Sequence, residues 1–288
     1  PQFLKLMKKV KLNSYAKVNI GLKLLNKRVD GYHNISTVFQ EIDLYDEITI
    51  SKSSKRALEF SSNVKWLKND QDNLCIAAYS RIKDLYDIDG VHINLVKNIS
   101  RGSGLGGGSS NAATVMKGLR QIFNLEITDK ELEKISVEIG ADVPFFIRGN
   151  TQIGEGVGEK LSNIKFSMKG LFLIVTPDVS IDTKWAYSQI KNVLDNAASS
   201  TKFSDLFCGK TISLDTLKFF ENDFESVVFP TYPEIGAIKS ELIALGAKFA
   251  SLSGSGSTVF GIFDDNAKIN KAFSHFSPMH KTHIAHPV

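Results

Sequence analysis

Gly102–Ala113 reads GSGLGGGSSNAA, five glycines and three serines within twelve residues. No core strand or exposed helix tolerates that density, because each glycine ordered inside an element costs about 0.5–1 kcal/mol relative to alanine. Bare backbone must therefore be worth more here than side chains. Unobstructed N–H groups can close around phosphate oxygens, and the start of a following helix adds its positive end. Just upstream, VHINLVK (Val91–Lys97) alternates as a strand does. Just downstream, Ala112, Ala113, Met116, Leu119 and Ile122 fall at helical spacing and predict a helix from about Ser110 to Phe123. Strand, glycine loop, helix is the order that a phosphate cradle needs. A Walker A loop would add lysine and then serine or threonine after its last glycine. Gly108 is instead followed by Ser109, Ser110 and Asn111, so this cradle must borrow its cation from elsewhere.

One source is the first predicted strand, YAKVNIGLKLL (Tyr15–Leu25), whose period of two puts Ala16, Val18, Ile20, Leu22 and Leu24 on the buried face. Lys17 and Asn19 share the other face. Solvent is the commoner place for a lysine, and the asparagine two residues on opens the alternative of a polar site. RVDGYHNIST (Arg28–Thr37) carries a turn at Asp30-Gly31 followed by Tyr32 and His33, a pair that can hold a planar ligand or simply pack an interface. Val38, Ile42, Leu44, Ile48 and Ile50 predict one or two strands, with a solvated tip over residues 51–56.

Asp72 or Asn73 caps a predicted helix to Tyr86 that buries Leu74, Ala77, Ala78, Ile82 and Leu85. Thr128 and Glu131 form a capping box for a helix that stops at Gly140. Asp142 follows, between that stop and Pro144-Phe145-Phe146. It reads as an ordinary turn aspartate or as a carboxylate that its apolar neighbours force to be paired or functional. GNTQIGEGVGEKL (Gly149–Leu161) predicts strand, turn, strand at the edge of a first domain, and the composition shift places a boundary near residue 160, giving domains 1–160 and 161–288. Beyond it come a buried strand (Leu171–Pro177), a helix with Trp185 and Tyr187, and a helix from Pro233 to Gly246 with Ile235, Ile238, Leu242 and Leu245 inward. A second glycine-serine loop (Ser253–Ser257) follows, set between two strands. His275, His280, His283 and His286 lie in a segment whose alternation favours a last strand over a metal site.

The whole chain bounds the function. Its 288 residues, 42% hydrophobic, suffice for two modest domains. Thirty-five basic against 31 acidic residues leave a net charge of +4 without a basic block, which argues against nucleic acid and membrane surfaces as partners. Cys75 and Cys208 are far apart with no CxxC spacing, a usage suited to a reducing cytoplasm. The first residues lack the apolar run of a secretory signal, and Met7 reads as a start that would leave Pro1–Leu6 as an extension. The residues therefore suggest a site in which glycine-loop amides hold nucleotide phosphates and Ser110 binds Mg2+. Asp142 would orient or deprotonate a hydroxyl, and Lys17 would stabilise charge.

YAKVNIGL, GSGLGGGSSNAA, GADVPFF and SGSGSTVFG, in this order and separation, resemble the signature set of the galactokinase, homoserine kinase, mevalonate kinase and phosphomevalonate kinase superfamily. Within it, RVDGYHNIST with GLGGGSSNAA and GADVPFF is similar to the 4-diphosphocytidyl-2-C-methyl-D-erythritol kinases. The likeness covers nearly all of the chain from Val10. It implies an α+β, two-lobed fold with an N-terminal ATP-binding domain, a C-terminal α/β-layer domain and the active site between them. It implies an ATP- and Mg2+-dependent kinase, a monomer or weak homodimer of the cytoplasm, acting on a cytidine-diphosphate-linked methylerythritol. Asp142 and Lys17 would then be catalytic, with Asn19 on the substrate side. Gly102, Ser103, Gly104, Leu105, Gly106, Gly107, Gly108, Ser109 and Ser110 would wrap the ATP phosphates, with Asn73, Leu74 and Lys97 around the adenosine. Tyr32 and His33 would read cytosine, with Tyr187 as the second stacking ring ahead of Trp185 and with Thr183 nearby, while Ser253–Thr258 would close on the transfer site. Asn111 stands where many relatives carry aspartate.

Overall fold

The computed structural model describes residues 8–29, 31, 33–67, 72–166, 170–194, 201–207 and 211–288, those from 191 to 194 by backbone alone. The chain runs β1 (Lys9–Lys27), β2 (His33–Lys52), β3 (Glu59–Ser62), α1 (Leu74–Tyr86), β4 (Val91–Val96), α2 (Gly107–Phe123), α3 (Asp129–Ser136) and α4 (Phe145–Arg148). It continues as β5 (Thr151–Gly156), β6 (Lys160–Asn163), β7 (Lys165–Phe166), β8 (Leu171–Thr176), α5 (Thr183–Leu194), α6 (Phe203–Phe207), β9 (Thr211–Ile212) and a 3-10 turn (Leu214–Phe219). Last come α7 (Glu225–Thr231), α8 (Pro233–Ala244), β10 (Phe249–Leu252), β11 (Val259–Phe263), α9 (Asn266–Phe276) and β12 (Lys281–Ala285). This is the α+β class that the sequence implies.

Packing divides the chain into two units: residues up to Ala16 with 44–99 and 106–148, and Lys17–Asp43 with 100–105 and Gly149–Val288. That differs from a single cut near residue 160. β1 and β2, 19 and 20 residues long, each contribute to both units, and β5 and β6 pack with the second. The described part of β2 is one continuous strand, and the tip expected from residue 51 starts later because Ser51 and Lys52 still pair with His92 and Val91.

In the first unit the C-terminal half of β2 pairs antiparallel with β4, and β3 runs parallel to β4. α1 begins at the expected cap, where Asn73 Oδ1 accepts from the Cys75 N–H at 3.0 Å. Its buried stripe is Cys75, Ala78, Tyr79 and Ile82, spaced i, i+3, i+4 and i+7, while Leu85 is 45% exposed. The helix is thus turned from the face that its leucines suggest. Burial pushes the Cys75 thiol up to about 12, and Cys208 lies outside the described residues. α2 starts at Gly107, three residues before Ser110, with Gly106 as its left-handed N-cap (φ +69°). A Cβ on Gly107 would stand 2.9 Å from Ile99 Cγ2, which explains why the helix opens on glycine at that position. The capping box is present, with Thr128 N–H donating to Glu131 Oε2 at 2.8 Å and Glu131 N–H to Thr128 Oγ1 at 3.3 Å. α3 nevertheless ends at Ser136, four residues short of Gly140, and turns carry the chain to α4.

In the second unit the N-terminal half of β2 pairs with β5, and β5 turns back on β6 through Gly156 and Gly158, both at positive φ. A separate four-stranded sheet has the order β10-β11-β8-β12. β8 and β11 are its two inner strands, buried along almost their whole length, as the apolar runs LFLIVT and VFGIF require. α8 packs on β10 and β11, and α9 on β8 and β12. Ile235, Ile238 and Leu242 of α8 are buried as expected, whereas α7 and α9 carry no strong sequence signal and were not anticipated. The C-terminal histidines have separate settings: His283 lies in β12, His275 pairs with Glu241, and His286 with Asp43.

Candidate active site

From Ala16 to Leu22 every residue of β1 is buried, so its polar face is as dry as its apolar one. Lys17 is 3% exposed and Asn19 1%. The solvated reading of Lys17 is thereby excluded. A lysine that dry must be held by acceptors: Lys17 Nζ donates to Asn19 Oδ1 at 2.6 Å and lies 5.4 Å from the centre of the Phe39 ring. Asn19 Nδ2 donates to Thr37 Oγ1 at 2.8 Å, and Thr37 Oγ1 donates to the Gly21 carbonyl at 2.7 Å. The ammonium position is therefore fixed through two residues of β1 and one of β2.

The glycine run passes from the second unit to the first between Leu105 and Gly106. In the second unit the Leu105 carbonyl accepts from the Lys17 N–H at 3.0 Å. Gly104 lies against the second glycine-serine loop: a Cβ there would stand 2.0 Å from the Ser253 carbonyl oxygen, and Ser253 Oγ donates to the Gly104 carbonyl at 2.9 Å. Thr258 N–H donates to the Ser103 carbonyl at 3.2 Å, and Asn19 N–H reaches Ser253 Oγ at 3.4 Å. Lys17, Asn19 and both glycine loops thus form one cluster. Asn222 braces it, with Nδ2 donating to the carbonyls of Leu252 (2.7 Å) and Gly254 (2.8 Å). Gly102 is at φ +60°, and a Cβ there would stand 3.3 Å from Ser180 Oγ.

In the same unit His33 is buried, with its ring stacked on Tyr187 at 5.7 Å and 20°. Burial, helped by Lys27, lowers the His33 pKa below that of a free imidazole. Tyr187 is set edge-on to Phe224 and Trp185 edge-on to Tyr232, both rings partly buried against the apolar core, and of the two it is Tyr187 that stacks on His33. Thr183 Oγ1 shares a hydrogen bond with Ser255 Oγ of the second loop at 3.1 Å. Tyr32 lies outside the described residues.

In the first unit Gly106–Ser110 opens α2 beside α1. Leu74 Cδ1 would be 3.5 Å from a Cβ on Gly108, and Asn73 caps α1. Lys97 Nζ makes a buried ion pair with Asp46, and Ser110 Oγ shares a hydrogen bond with Ser14 Oγ at 2.7 Å. Asp142, half-buried in the turn before α4, stands ahead of the buried Val143, Pro144, Phe145 and Phe146. Lys117 of α2 ties α4 down by donating to the Phe146 carbonyl at 2.8 Å. The sequence did not single out Asp46, Ser14, Thr37 or Asn222. Each is a buried polar residue on a strand or loop, and nothing among its chain neighbours marks it out.

A family model described as the GHMP kinases N terminal domain matches residues 73–150, and one described as GHMP kinases C terminal matches 211–277. The chain is 36% identical over 277 residues to a protein of Prosthecochloris aestuarii named 4-diphosphocytidyl-2-C-methyl-D-erythritol kinase, covering 96% of each. It is 38% identical to the protein of the same name from Caldanaerobacter subterraneus subsp. tengcongensis, covering 92% of each. Among solved structures, a 4-(cytidine 5'-diphospho)-2C-methyl-D-erythritol kinase superposes with a TM-score of 0.81 at 27% identity, over 96% of this chain and 98% of that one. A homoserine kinase from Cytophaga hutchinsonii shares the fold, with a TM-score of 0.76 at 17% identity over 100% and 97%.

Proposed function

The chain belongs to the 4-diphosphocytidyl-2-C-methyl-D-erythritol kinases, a branch of the GHMP kinases, and from that premise we propose that it moves the γ-phosphoryl group of ATP onto the 2-hydroxyl of 4-diphosphocytidyl-2-C-methyl-D-erythritol. The observation that supports this chemistry best is the setting of Lys17. A dehydrated cation, its N–H bonded to the first glycine loop and its ammonium fixed by Asn19, which also touches the second loop, stands ready to meet negative charge. Phosphoryl transfer asks a protein mainly for position and electrostatic stabilisation, and this cluster supplies both.

The residues divide the work as follows. Amides of Gly102–Ser110 bind the ATP phosphates, with Asn73, Leu74 and the backbone at Lys97 alongside the adenosine. Asp142 orients the acceptor hydroxyl and takes its proton, and Lys17 stabilises the charge that develops. Asn19 holds Lys17 and faces the acceptor. His33, kept neutral near pH 7 by its burial, hydrogen-bonds the cytosine; Tyr32 and Tyr187 stack on it, with Thr183 nearby. Mg2+ neutralises the phosphates when bound. Ser110, which keeps acceptor capacity beyond its bond to Ser14, fits as a single weak ligand to an ion that travels with the nucleotide. No described helix is long and apolar enough to cross a membrane, and we place the enzyme in the cytoplasm, as a monomer or weak homodimer.

Phosphorus NMR of a reaction with ATP and the cytidylyl acceptor tests the reading. One new phosphomonoester signal should appear with ADP, coupled to the substituents of acceptor carbon 2, while the acceptor's own diphosphate stays intact. A phosphomonoester on another carbon, or ADP formed without one, would overturn it.

A further inference from the structure

Asp46 is fully buried, yet four donors converge on its carboxylate. Oδ1 accepts from the backbone N–H groups of Asn98 (2.7 Å) and Ile99 (2.8 Å). Oδ2 accepts from Lys97 Nζ and from Asn111 Nδ2, the latter at 2.9 Å. Asn111 sits in the second turn of α2, and its Oδ1 accepts from Lys97 Nζ at 3.2 Å. Its Nδ2 also donates to Ser14 Oγ at 2.9 Å, and Ser14 in turn bonds Ser110. One carboxylate therefore ties the backbone leading into the glycine loop to the helix leading out of it. Lys97 Nζ would be only 3.2 Å from a Cβ on Gly107, so the ion pair sits directly beneath the first turn of α2. The Lys97 charge is already matched by Asp46, and the side chain is 6% exposed. Its role is thus to complete this clamp, with no charge left over for phosphate.

Resting on the reading that ATP binds this loop, we propose that Asp46 is a positioning residue that sets the affinity for ATP: it fixes the distance between the Asn98-Ile99 backbone and the start of α2, and thereby the direction in which the loop amides point. Asp46→Asn is isosteric and separates the two halves of the clamp. Its oxygen can still accept from Asn98 and Ile99, but its NH2 group would face Lys97 and Asn111, donor against donor. The loop-side anchor survives and the helix-side anchor is lost. Asp46→Asn combined with Asn111→Asp restores the bond between the two side chains with the groups exchanged: the amide at 46 donates to the carboxylate at 111, and Lys97, already 3.2 Å from the oxygen at 111, shifts off the amide at 46 to pair with that carboxylate.

The test is steady-state kinetics of the full chain with ATP varied at saturating cytidylyl acceptor. Asp46→Asn is expected to raise the KM for ATP about tenfold or more, with kcat and the acceptor KM within about threefold of wild type, and the exchanged pair to return the ATP KM to within about threefold. A merely structural role would reduce the folded fraction, and so kcat, at unchanged KM. That pattern, or an Asp46→Asn protein with unaltered kinetics, overturns the proposal. If Asp46→Asn does not fold, the exchanged pair decides alone: an ATP KM near wild type supports the clamp, and a tenfold rise overturns it. A wild-type protein that shows no saturation with ATP would instead overturn the nucleotide reading of the loop, and this result is seen before any variant is compared.

Discussion

The α-carbon of Gly104 is so near Ser253 that an added Cβ would lie 2.0 Å from the Ser253 carbonyl oxygen, although the two residues are 149 positions apart. The opposing atom is backbone and cannot swing aside, and Gly104 is at φ +78°. Gly104→Ala should cost about 3 kcal/mol or more of unfolding free energy and most of the activity, since both strain and overlap must be relieved. Gly108→Ala, in the same run but on ordinary helical backbone with its nearest neighbour at 3.5 Å, should change stability by less than about 1 kcal/mol, toward stabilisation. Urea midpoints of the two variants check the contrast. Equal losses would mean that the glycines are not individually required by these contacts.

Lys17 is buried and held by Asn19, so Lys17→Met keeps the shape and removes the charge. It should lower kcat by about 10²–10³-fold. Asp142→Asn should lower kcat by about 10²–10⁴-fold with ATP binding kept, because a positioned base contributes on that scale. Initial rates with both substrates saturating give the readout. An active Asp142→Asn enzyme would remove that carboxylate from the chemistry.

Asn222 donates one NH2 group to two carbonyls of the second glycine-serine loop, while its own oxygen accepts from Phe224 N–H at 3.0 Å. Asn222→Ala strands buried acceptors, at about 1–3 kcal/mol for each group left unpaired. Asn222→Asp should be worse, since an oxygen then faces two carbonyl oxygens. Thermal melts that rank Asp as milder than Ala would contradict the brace.

Burial lowers the pKa of His33, so below about pH 6.5 the unfolded chain binds a proton that the folded chain resists. Stability from this group is complete above that pH and is lost as the pH falls through it. His283, also lowered by burial, acts in the same direction and is common to wild type and variant. Urea denaturation between pH 5 and 7.5 should show a steeper acid loss in wild type than in His33→Gln. Parallel losses would show that His33 is not the group concerned.

Local signals carried much of the fold. The Asn73 cap, the Thr128–Glu131 box and the strand at β1 each depend on residues a few positions apart, and each is present. What failed depends on distant partners. Lysine's usual preference for solvent would have left Lys17 outside, because, apart from Asn19, what meets it is distant in sequence: the Phe39 ring near its ammonium and the Leu105 carbonyl at its N–H. The stripe of α1 was misjudged because Cys75 and Tyr79, not the more apolar Leu74 and Leu85, face the core. Asp46 stayed hidden for the same reason: its four donors lie 51 to 65 residues downstream.

The most direct measurement is the initial rate of ADP formation with 4-diphosphocytidyl-2-C-methyl-D-erythritol, homoserine and mevalonate supplied in parallel at equal concentration. Turnover with the cytidylyl acceptor alone is the expected result, since only that acceptor carries a base for His33 and Tyr187. Turnover with homoserine or mevalonate and none with the cytidylyl compound would contradict it.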